Sequence, residues 1–321
     1  MSLKRQSDVL PSVSRVLRLS ARPRPARYCT GVTETTLVLG ASGYAGRHLV
    51  TALHDAGHRV RVVVRDRDRA LGPGAVGAPP LAGAVEEWVV SSQFGAEVDA
   101  STVTGVDHVV SALGVTRQRA DPWDVDFALN LRFLELAESS GVRTFQYLGV
   151  QSAASGTSAL VRAKHAFTQV LRRSDVTAQI INPSAYFSDL TAVYRMARRG
   201  LAVGVREGSA RLTPIHGADL ADFCVSVLDG PAGEWDVGGP EVLTYRQIVR
   251  EAFAVAGTTE RYLPIPGPAV RAGTAVADRM GPRVSSLTRF LLEGIDADSV
   301  GEQVGTRTLR DHFASLAADE R

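Results

Sequence analysis

Residues 36–65 constrain the fold more than any other part of this sequence. An apolar strand over residues 37–39 runs into a turn with glycines at positions 40, 43 and 46. Apolar residues then recur at helical spacing, and a second apolar run covers residues 60–64. Strand, glycine turn, helix and strand together form one βαβ unit, the smallest piece of a parallel sheet.

The three glycines of this turn have separate physical roles. Gly40 lets the chain turn sharply out of the strand, Gly43 has no side chain to hold a pyrophosphate away, and Gly46 lets the helix approach the sheet. The helix start offers N–H groups and the positive end of its dipole to phosphates. The turn therefore predicts a dinucleotide site that also uses Ser42, Tyr44 and Ala45. The alternative is a turn whose glycines serve only packing.

Composition narrows the possible partners. The chain has 321 residues, 45% of them hydrophobic, which is enough for one large domain or a domain with a smaller lobe. Seven Lys or Arg and one Asp lie in the first 30 residues, so the net charge of +2 becomes −4 for the remainder. The sequence predicts no nucleic-acid-binding face and no integral membrane segment. Cys29 and Cys224 form neither a metal motif nor a disulfide framework, which favours a reducing compartment and predicts no metal site.

Residues 1–31 are rich in Arg and Ser and poor in acids. This composition is typical of an organelle transit peptide. The whole chain, however, is rich in Ala, Arg, Gly and Val, and a valine at position 32 directly precedes the first strand. We therefore favour a mis-assigned start or a disordered extension over organelle targeting. Under this interpretation the protein is expected to be cytoplasmic.

The residues after the second strand indicate which cofactor is used. Arg65 comes first after the strand and Arg69 follows in the next turn, where an arginine can receive the 2′-phosphate of NADP(H). Asp66 stands between them and could instead bind ribose hydroxyls, so NAD remains possible. The pattern favours NADP(H), and a solvated run of charges is the alternative.

The strand and helix pattern continues to about residue 235 and predicts an α/β fold with a doubly wound parallel sheet, the Rossmann fold. Strands are expected near residues 87–90, 105–114, 143–150 and 177–181, with helices over residues 124–137 and 158–173. Ligands of such sheets bind at the carboxyl ends of the strands. We therefore expect the cofactor to contact Ala112, Leu113, Gly114 and Pro183.

The predicted domain organisation has three parts. Residues 1–31 carry no fold, residues 32–235 form the Rossmann domain, and residues 236–321 form a small C-terminal lobe that closes over the substrate. Residues 184–215 are expected to contribute to that lobe. The oligomeric state is left open.

Several segments resemble the atypical short-chain dehydrogenase/reductases, in particular their NmrA-like, NAD(P)-binding branch near the divinyl chlorophyllide 8-vinyl reductases. The resemblance covers roughly residues 35–320 and rests on the glycine turn, the helix with Asp126 and Asn130, and residues 143–147, 182–189, 214–220 and 238–241. It implies the Rossmann fold and NAD(P)H binding. It is much less specific for the substrate, which we expect to be small and hydrophobic.

The expected catalytic residues are only partly present. Short-chain reductases use a Ser, a Tyr and a Lys, with the Tyr four residues before the Lys. Lys164 matches the lysine, but Leu160 stands at the tyrosine position. Gly149 or Val150 stands at the serine position, with Ser152 just beyond. Lys164 is therefore the predicted catalytic and ribose-binding residue, with a surface helix lysine as the alternative.

Two functions are compatible with the absence of the tyrosine that protonates the carbonyl oxygen in short-chain reductases. Hydride transfer to a carbon–carbon double bond forms no alkoxide and needs no fixed tyrosine. Alternatively, the fold binds NAD(P) without turnover, as a redox sensor of the NmrA type. Tyr186 and Phe187 could stack on the nicotinamide or pack in the core. His216 could act as an acid, whereas capping of the helix over residues 218–228 accounts for Asp219.

Overall fold

A parallel β-sheet forms the centre of the computed structural model, which describes residues 33–91, 98–115, 120–281, 288–289, 292, 294 and 296–319. Within these residues the sheet has eight strands in the order β3-β2-β1-β4-β5-β6-β9-β12. Their bounds are β1 Thr35–Leu39, β2 Arg59–Val64, β3 Glu87–Val90, β4 His108–Ser111, β5 Thr144–Leu148, β6 Thr177–Pro183, β9 Gly233–Gly238 and β12 Glu302–Gln303. The described residues belong to one compact unit, Thr33–Arg321.

Helices cover both faces of this sheet. They are α1 Tyr44–Asp55, α2 Arg67–Leu71, α3 Ala100–Val103, α4 Asn130–Ser139, α5 Ala159–Leu171, α6 Phe187–Arg198, α7 Gly217–Val227, α8 Tyr245–Ala256, α9 Gly267–Arg279 and α10 Leu309–Asp319. All five residues of β1 and of β5 are buried, as expected where a parallel strand is covered on both faces. The predicted doubly wound Rossmann sheet is confirmed. Among the described helices, none is both long and apolar enough to cross a bilayer.

Two of the three glycines of the first turn are required by the protein itself. Gly40 has a φ of +74°, and a Cβ there would lie 2.6 Å from the carbonyl oxygen of Ala112. A Cβ on Gly46 would lie 2.1 Å from the carbonyl oxygen of Gly40, so only glycine lets α1 start this close to the turn. Gly43 has an ordinary φ of −76°, and its Cβ would meet only the Gly40 oxygen, at 3.2 Å. Packing alone therefore does not explain the glycine at position 43.

The helix predicted over residues 124–137 is not one α-helix. It begins as a π-helix, Trp123–Leu129, and becomes α-helical only from Asn130. The buried amide of Asn130 donates to the carbonyl oxygens of Val125 and Asp126, at 3.2 and 3.1 Å. This side chain competes with the backbone for acceptors inside the helix, which accounts for the wider turn. The fourth strand is also shorter than predicted and spans only His108–Ser111.

A third apolar core, in addition to the two cores that include the strands of the main sheet, lies beyond that sheet. It joins α6, α8 and α10 through buried side chains that include Phe187, Tyr194, Phe253 and Phe313. Two small sheets accompany it: β8 (Arg211–Leu212) pairs with β10 (Leu243–Thr244), and β7 (Ala202–Val205) pairs with β11 (Tyr262–Ile265). Residues 184–215 and the C-terminal part thus share one core. The domain boundary at residue 235 stays a prediction, and residues 1–31 lie outside the described residues.

Gly46→Ala should destabilise the protein more than Gly43→Ala does. Alanine favours a helix by about 1 kcal/mol over glycine. The backbone clash at position 46 exceeds that gain, since overpacking costs about 1–3 kcal/mol or more. Urea unfolding should therefore show a net loss for Gly46→Ala and a change within about 1 kcal/mol for Gly43→Ala. Equal stabilities of the two variants would show that α1 can shift without cost.

Candidate cofactor and active site

The start of α1 presents backbone donors at the carboxyl edge of the sheet. Gly43 is the N-cap, with its own N–H bonded to the Gly40 oxygen at 3.0 Å. The next N–H groups, of Tyr44, Ala45 and Gly46, have no acceptor within the helix by its geometry. Ser42 and Gly43 are exposed at this turn. The arrangement suits an anion held by main-chain amides.

Tyr44 reaches away from this anion site. Its hydroxyl accepts a hydrogen bond from the backbone N–H of Gly217 at 3.1 Å, and its ring packs edge-on against His48. Burial raises the pKa of the Tyr44 phenol to about 12, so the phenol is neutral. The side chain joins α1 to α7. Only the main chain of Tyr44 is therefore placed for the predicted phosphate contact.

The remaining predicted cofactor residues follow neighbouring strands. Strand β1 lies between β2 and β4, so the sheet order reverses direction on either side of it. Gly40 follows β1, Arg65 follows β2, and the segment Ala112, Leu113 and Gly114 follows β4. Pro183 is the last residue of β6. This crevice at the switch point is where open α/β sheets bind their ligands.

On the side where the adenosine is expected, the carboxylate of Asp66, between Arg65 and Arg69, already accepts a hydrogen bond from the protein. Asp66 caps α2, and its carboxylate accepts a hydrogen bond from the Arg69 N–H at 3.0 Å. Arg65 and Arg69 are both exposed. The guanidinium of Arg67 lies over the Trp88 ring, 5.3 Å from its centroid. Arg65 and Arg69 stay the predicted cations for the adenosine end of the cofactor.

Lys164 is not a surface lysine. Its side chain is 12% exposed, and its ammonium lies 3.1 Å from the carboxylate of Asp126. It donates to the carbonyl oxygens of Leu113 at 3.3 Å and Leu148 at 3.1 Å. Burial opposes its charge, but the neighbouring Tyr147 and Asp126 raise the pKa of Lys164 above its usual value. The ammonium therefore joins α5 to the ends of β4 and β5.

Asp126 is the counter-ion that the sequence reasoning did not assign. It is fully buried on the π-helix, and its second oxygen accepts the N–H of Val115 at 3.1 Å. Burial raises the pKa of this carboxyl, and the ammonium of Lys164 opposes the rise. Gly114 lies just above the pair, since a Cβ there would be 3.3 Å from the carboxylate and 3.5 Å from the ammonium. The pair thus supports the loop expected to contact the nicotinamide end of the cofactor.

A tyrosine does lie beside Lys164, but it comes from β5. The hydroxyl of Tyr147 lies 3.3 Å from the ammonium, whereas Leu160 occupies the position one helical turn before the lysine. Tyr147 is fully buried among aromatic side chains, and burial raises its pKa to about 12. It has no open path to a substrate. The structure therefore adds a positioning partner for Lys164 and no exposed phenol beside it among the described residues.

A cavity of about 450 Å³ opens where β5 ends. One wall is formed by Val150, Gln151 and Ser152, and α9 lines the other side. Ser152 has a φ of +54°, a left-handed conformation that costs energy for a serine. Gln151 is fixed in place, because its amide donates to the Asn182 oxygen at 3.3 Å and accepts from the Ser299 hydroxyl at 2.8 Å. The cavity therefore has polar groups at the end of β5, where the sequence predicts the serine position of short-chain reductases.

The weaker candidates do not line this cavity. Phe187 is buried in the third core, consistent with packing, and Tyr186 lies near Tyr44 with ring centroids 6.1 Å apart. The expectation that Asp219 caps α7 is wrong. The cap is His216, whose ring nitrogen accepts the Ala218 N–H at 3.1 Å.

Asp219 instead binds the C-terminal segment. Its carboxylate accepts hydrogen bonds from the main chain of Arg307, at 3.0 Å, and from the guanidinium of that residue. It lies in the first turn of α7, one turn from the cap, where a negative charge is still favourable to the helix dipole. A long-range partner took the place of the expected local one.

Among the described residues, one group has the donors for a metal ion, and it lies at the opposite edge of the sheet. It comprises Glu34, His108 and Asp229. Arg143 already bonds to Glu34, and its guanidinium lies 3.1 Å from the same nitrogen of His108 that would bind the metal. A cation from the protein thus fills this position.

Removing Lys164 should leave the buried carboxylate of Asp126 without its counter-ion. Losing one partner of a buried ion pair costs about 3–5 kcal/mol. We expect Lys164→Met to lose that much unfolding free energy, measured in urea, and Lys164→Met/Asp126→Asn to recover most of it. An asparagine oxygen can still accept the Val115 N–H. A double variant no more stable than the single one would show that the two charges are not coupled.

Two buried histidines should make stability depend on pH. Burial lowers the pKa of His48 and of His312 to about 4, below the ordinary value of 6.5. The unfolded chain therefore binds more protons between these values, so stability falls as pH drops below 6.5, by at most about 1.4 kcal/mol per unit for each histidine. Urea unfolding between pH 6.5 and 5 should show a shallower slope for His48→Phe. An unchanged slope would show that His48 does not contribute.

The comparisons with known proteins agree with this geometry. A family described as NAD(P)H-binding matches residues 40–231, more than half of the chain. The chloroplastic divinyl chlorophyllide a 8-vinyl-reductase of Zea mays is 27% identical over 269 residues, which cover 76% of this chain and 64% of that protein. The ceramide reductase of Caulobacter vibrioides is 26% identical over 266 residues, which cover 78% of this chain and 79% of that protein. The chain thus spans slightly less than two thirds of the maize reductase.

Solved structures share the fold at low sequence identity. An NADPH-dependent quinone oxidoreductase of Escherichia coli, solved with NADPH, matches with a TM-score of 0.65 and 16% identity over 89% of this chain and 99% of that one. A nucleoside-diphosphate-sugar epimerase of Staphylococcus aureus matches with a TM-score of 0.66 and 15% identity over 87% and 99%. The relatives support an oxidoreductase, while the NmrA-like branch stays a prediction. With its family match over residues 40–231, the chain belongs to the NAD(P)H-binding family of atypical short-chain dehydrogenase/reductase-like proteins.

Proposed function

We propose that the protein is an NADPH-dependent reductase that delivers hydride to a conjugated carbon–carbon double bond in a small, largely apolar substrate. The observation that carries this proposal is the composition of the site around Lys164. Leu160 replaces the tyrosine of carbonyl reductases, and Tyr147, the phenol that does contact Lys164, is fully buried. Among the residues that the structure describes, the site around Lys164 therefore lacks the usual donor to a developing alkoxide.

Reduction of a conjugated alkene does not need that donor. One carbon would receive the hydride that the bound cofactor supplies, and the other carbon would take a proton from water. In between, the negative charge is delocalised onto the electron-withdrawing group of the substrate, so no fixed acid has to match an alkoxide. The polar wall of the cavity, with Gln151 and Ser152, can donate hydrogen bonds to that group. Leu160 is no obstacle to this chemistry.

The residues at the carboxyl edge fit the cofactor. Gly43 supports this fit best, because its bare Cα is exposed and packing does not require it. The main chain at positions 42–46 would hold the pyrophosphate, and the segment at positions 112–114 with Pro183 would lie along the nicotinamide end. Lys164 would support the floor of that end, and its ammonium would reach the ribose by giving up one of the carbonyl oxygens that it now binds. Each of these contacts is part of the proposal.

A preference for NADP(H) over NAD(H) is also proposed. Asp66 caps α2 through its carboxylate, which makes it a poor acceptor for ribose hydroxyls. Arg65 and Arg69 are exposed on either side of it and would meet a 2′-phosphate with charge-assisted hydrogen bonds.

The cavity supports an amphipathic substrate. Val150, Val161 and Val270 contribute apolar surface, and Ser152 and Thr274 contribute hydroxyls. The names of the relatives include a divinyl chlorophyllide, a ceramide and a quinone, which all combine a large apolar part with polar groups. This shared character favours a hydrophobic substrate with a polar end.

Single-turnover oxidation of NADPH tests this function directly. Wild-type protein should oxidise NADPH with at least one member of a panel of conjugated alkenes, quinones and vinyl tetrapyrroles, and should leave simple ketones unreduced. Gly43→Val should bind NADPH weakly and lose this activity, because its side chain displaces the pyrophosphate. Gly43→Ala, with a much smaller side chain, is the matched control and should retain part of it.

Two results would overturn the proposal. Rapid reduction of simple ketones would show that another group serves as the carbonyl acid. Tight NADPH binding without oxidation by any acceptor would favour the redox-sensor function instead.

A further inference from the structure

Arg47 is buried between the glycine turn and the loop that follows β2. It comes directly after Gly46 on α1 and is 3% exposed. Its guanidinium donates to the carbonyl oxygens of Ser42 at 3.2 Å, Gly72 at 2.7 Å and Pro79 at 2.8 Å. A longer contact, at 3.4 Å, reaches the carbonyl oxygen of Arg69. One side chain thus joins the phosphate turn to the segment that carries Arg69.

The loop after β2 is shaped around this side chain. A Cβ on Gly74 would lie 2.5 Å from Cδ and 2.7 Å from Nε of Arg47, so only glycine lets the loop lie against it. Ala70, Ala78 and Leu81 are buried in the same loop. The position of α2 relative to the phosphate turn therefore depends on Arg47.

The charge of Arg47 has no acidic partner among the described residues. Its hydrogen-bond partners there are four carbonyl oxygens, and the nearby charge that acts on it is the like charge of Arg69. Burial and then Arg69 lower the pKa of Arg47, but an arginine still stays protonated. A buried cation without a counter-ion is costly. A packing role alone would not require a positive charge here.

An anion bound beside Arg69 would relieve both unfavourable features. It would pair with Arg69 directly, and its negative charge would also offset the buried charge of Arg47, on which the charge of Arg69 already acts. At least three of the N–H groups of Arg47 already donate to carbonyl oxygens. Arg47 would therefore position Arg69 rather than bind the anion itself. The cofactor's 2′-phosphate is the anion expected at the end of β2.

We propose that Arg47 is a positioning residue for cofactor choice: it holds α2 and Arg69 beside the phosphate turn and favours the 2′-phosphate of NADP(H) over the hydroxyl of NAD(H). This inference rests on the proposed function, since it presupposes that the protein prefers NADP(H). It adds a residue that is 3% exposed and would act without touching the cofactor.

The test compares the dissociation constants of NADPH and NADH, measured by fluorescence titration, in Arg47→Gln and Arg47→Lys. Arg47→Gln should weaken NADPH about tenfold or more, the scale of a charge-assisted hydrogen bond, and NADH distinctly less. Arg47→Lys keeps the charge but loses the planar fork, so it should restore part of the NADPH preference. Melting temperatures of all variants report the loss of packing separately.

Arg61 provides a matched control. Its side chain is also largely buried and donates to two loop carbonyl oxygens, of Thr102 and Thr104. It pairs with Glu87 and lies away from the carboxyl edge, near the start of β2. Arg61→Gln should therefore lower the melting temperature without changing the ratio of the two dissociation constants.

The outcomes separate this inference from the function on which it rests. An unchanged ratio in Arg47→Gln, with both cofactors weakened equally, would show a structural role only and overturn the inference. If Arg47→Gln does not fold, the ratio of the NADPH and NADH dissociation constants in Arg47→Lys decides instead. A reduced preference for NADPH supports the inference, and an unchanged ratio overturns it. A wild-type protein that binds both cofactors equally would instead overturn the NADP(H) preference itself.

Discussion

The buried ammonium of Lys164 determines how the region that we propose for the nicotinamide is built. It draws the carbonyl oxygens of Leu113 and Leu148 towards one point and so fixes the ends of β4 and β5 relative to each other. Asp126 compensates its charge, and the same carboxylate holds the main chain at Val115. A charge buried without such partners would cost more than the fold can spare. The lysine typical of this family is thus kept here with a structural role, whatever it contributes to catalysis.

This use of the lysine agrees with the missing tyrosine. In carbonyl reductases the lysine acts on a phenol that faces the substrate. Here the phenol in contact with Lys164 is Tyr147, which is buried in the core, and the position one helical turn before the lysine carries the buried Leu160. A site with this arrangement suits substrates whose transition state spreads its charge over a conjugated system. The chemistry that we propose follows from where the hydroxyl points and not simply from how many hydroxyls are present.

The two ends of the proposed cofactor site are stabilised in the same way. At the proposed nicotinamide end, Lys164 binds loop carbonyl oxygens, and at the proposed adenosine end Arg47 does so. Both are long cationic side chains on helices that pack against the sheet. The two sites differ in charge, because Asp126 compensates Lys164, whereas the carbonyl oxygens that bind Arg47 satisfy its donors without neutralising it.

The sequence alone was sufficient to predict the βαβ unit, the parallel sheet and the glycine turn, because apolar periodicity and glycine spacing are local properties of the chain. It also placed Gly40, Arg65 and Ala112 on neighbouring strand ends. It could not show that Tyr147 meets Lys164 across 17 residues, or that Arg47 binds the carbonyl oxygens of Gly72 and Pro79, 25 and 32 residues away. Every residue has a carbonyl group, so the sequence does not mark which ones a buried cation will select. The contact of Asp219 with Arg307, 88 residues away, was likewise decided by the tertiary structure. The π-helix at Trp123–Leu129 and the capping of α7 by His216 depend instead on local hydrogen bonds, which apolar periodicity does not mark.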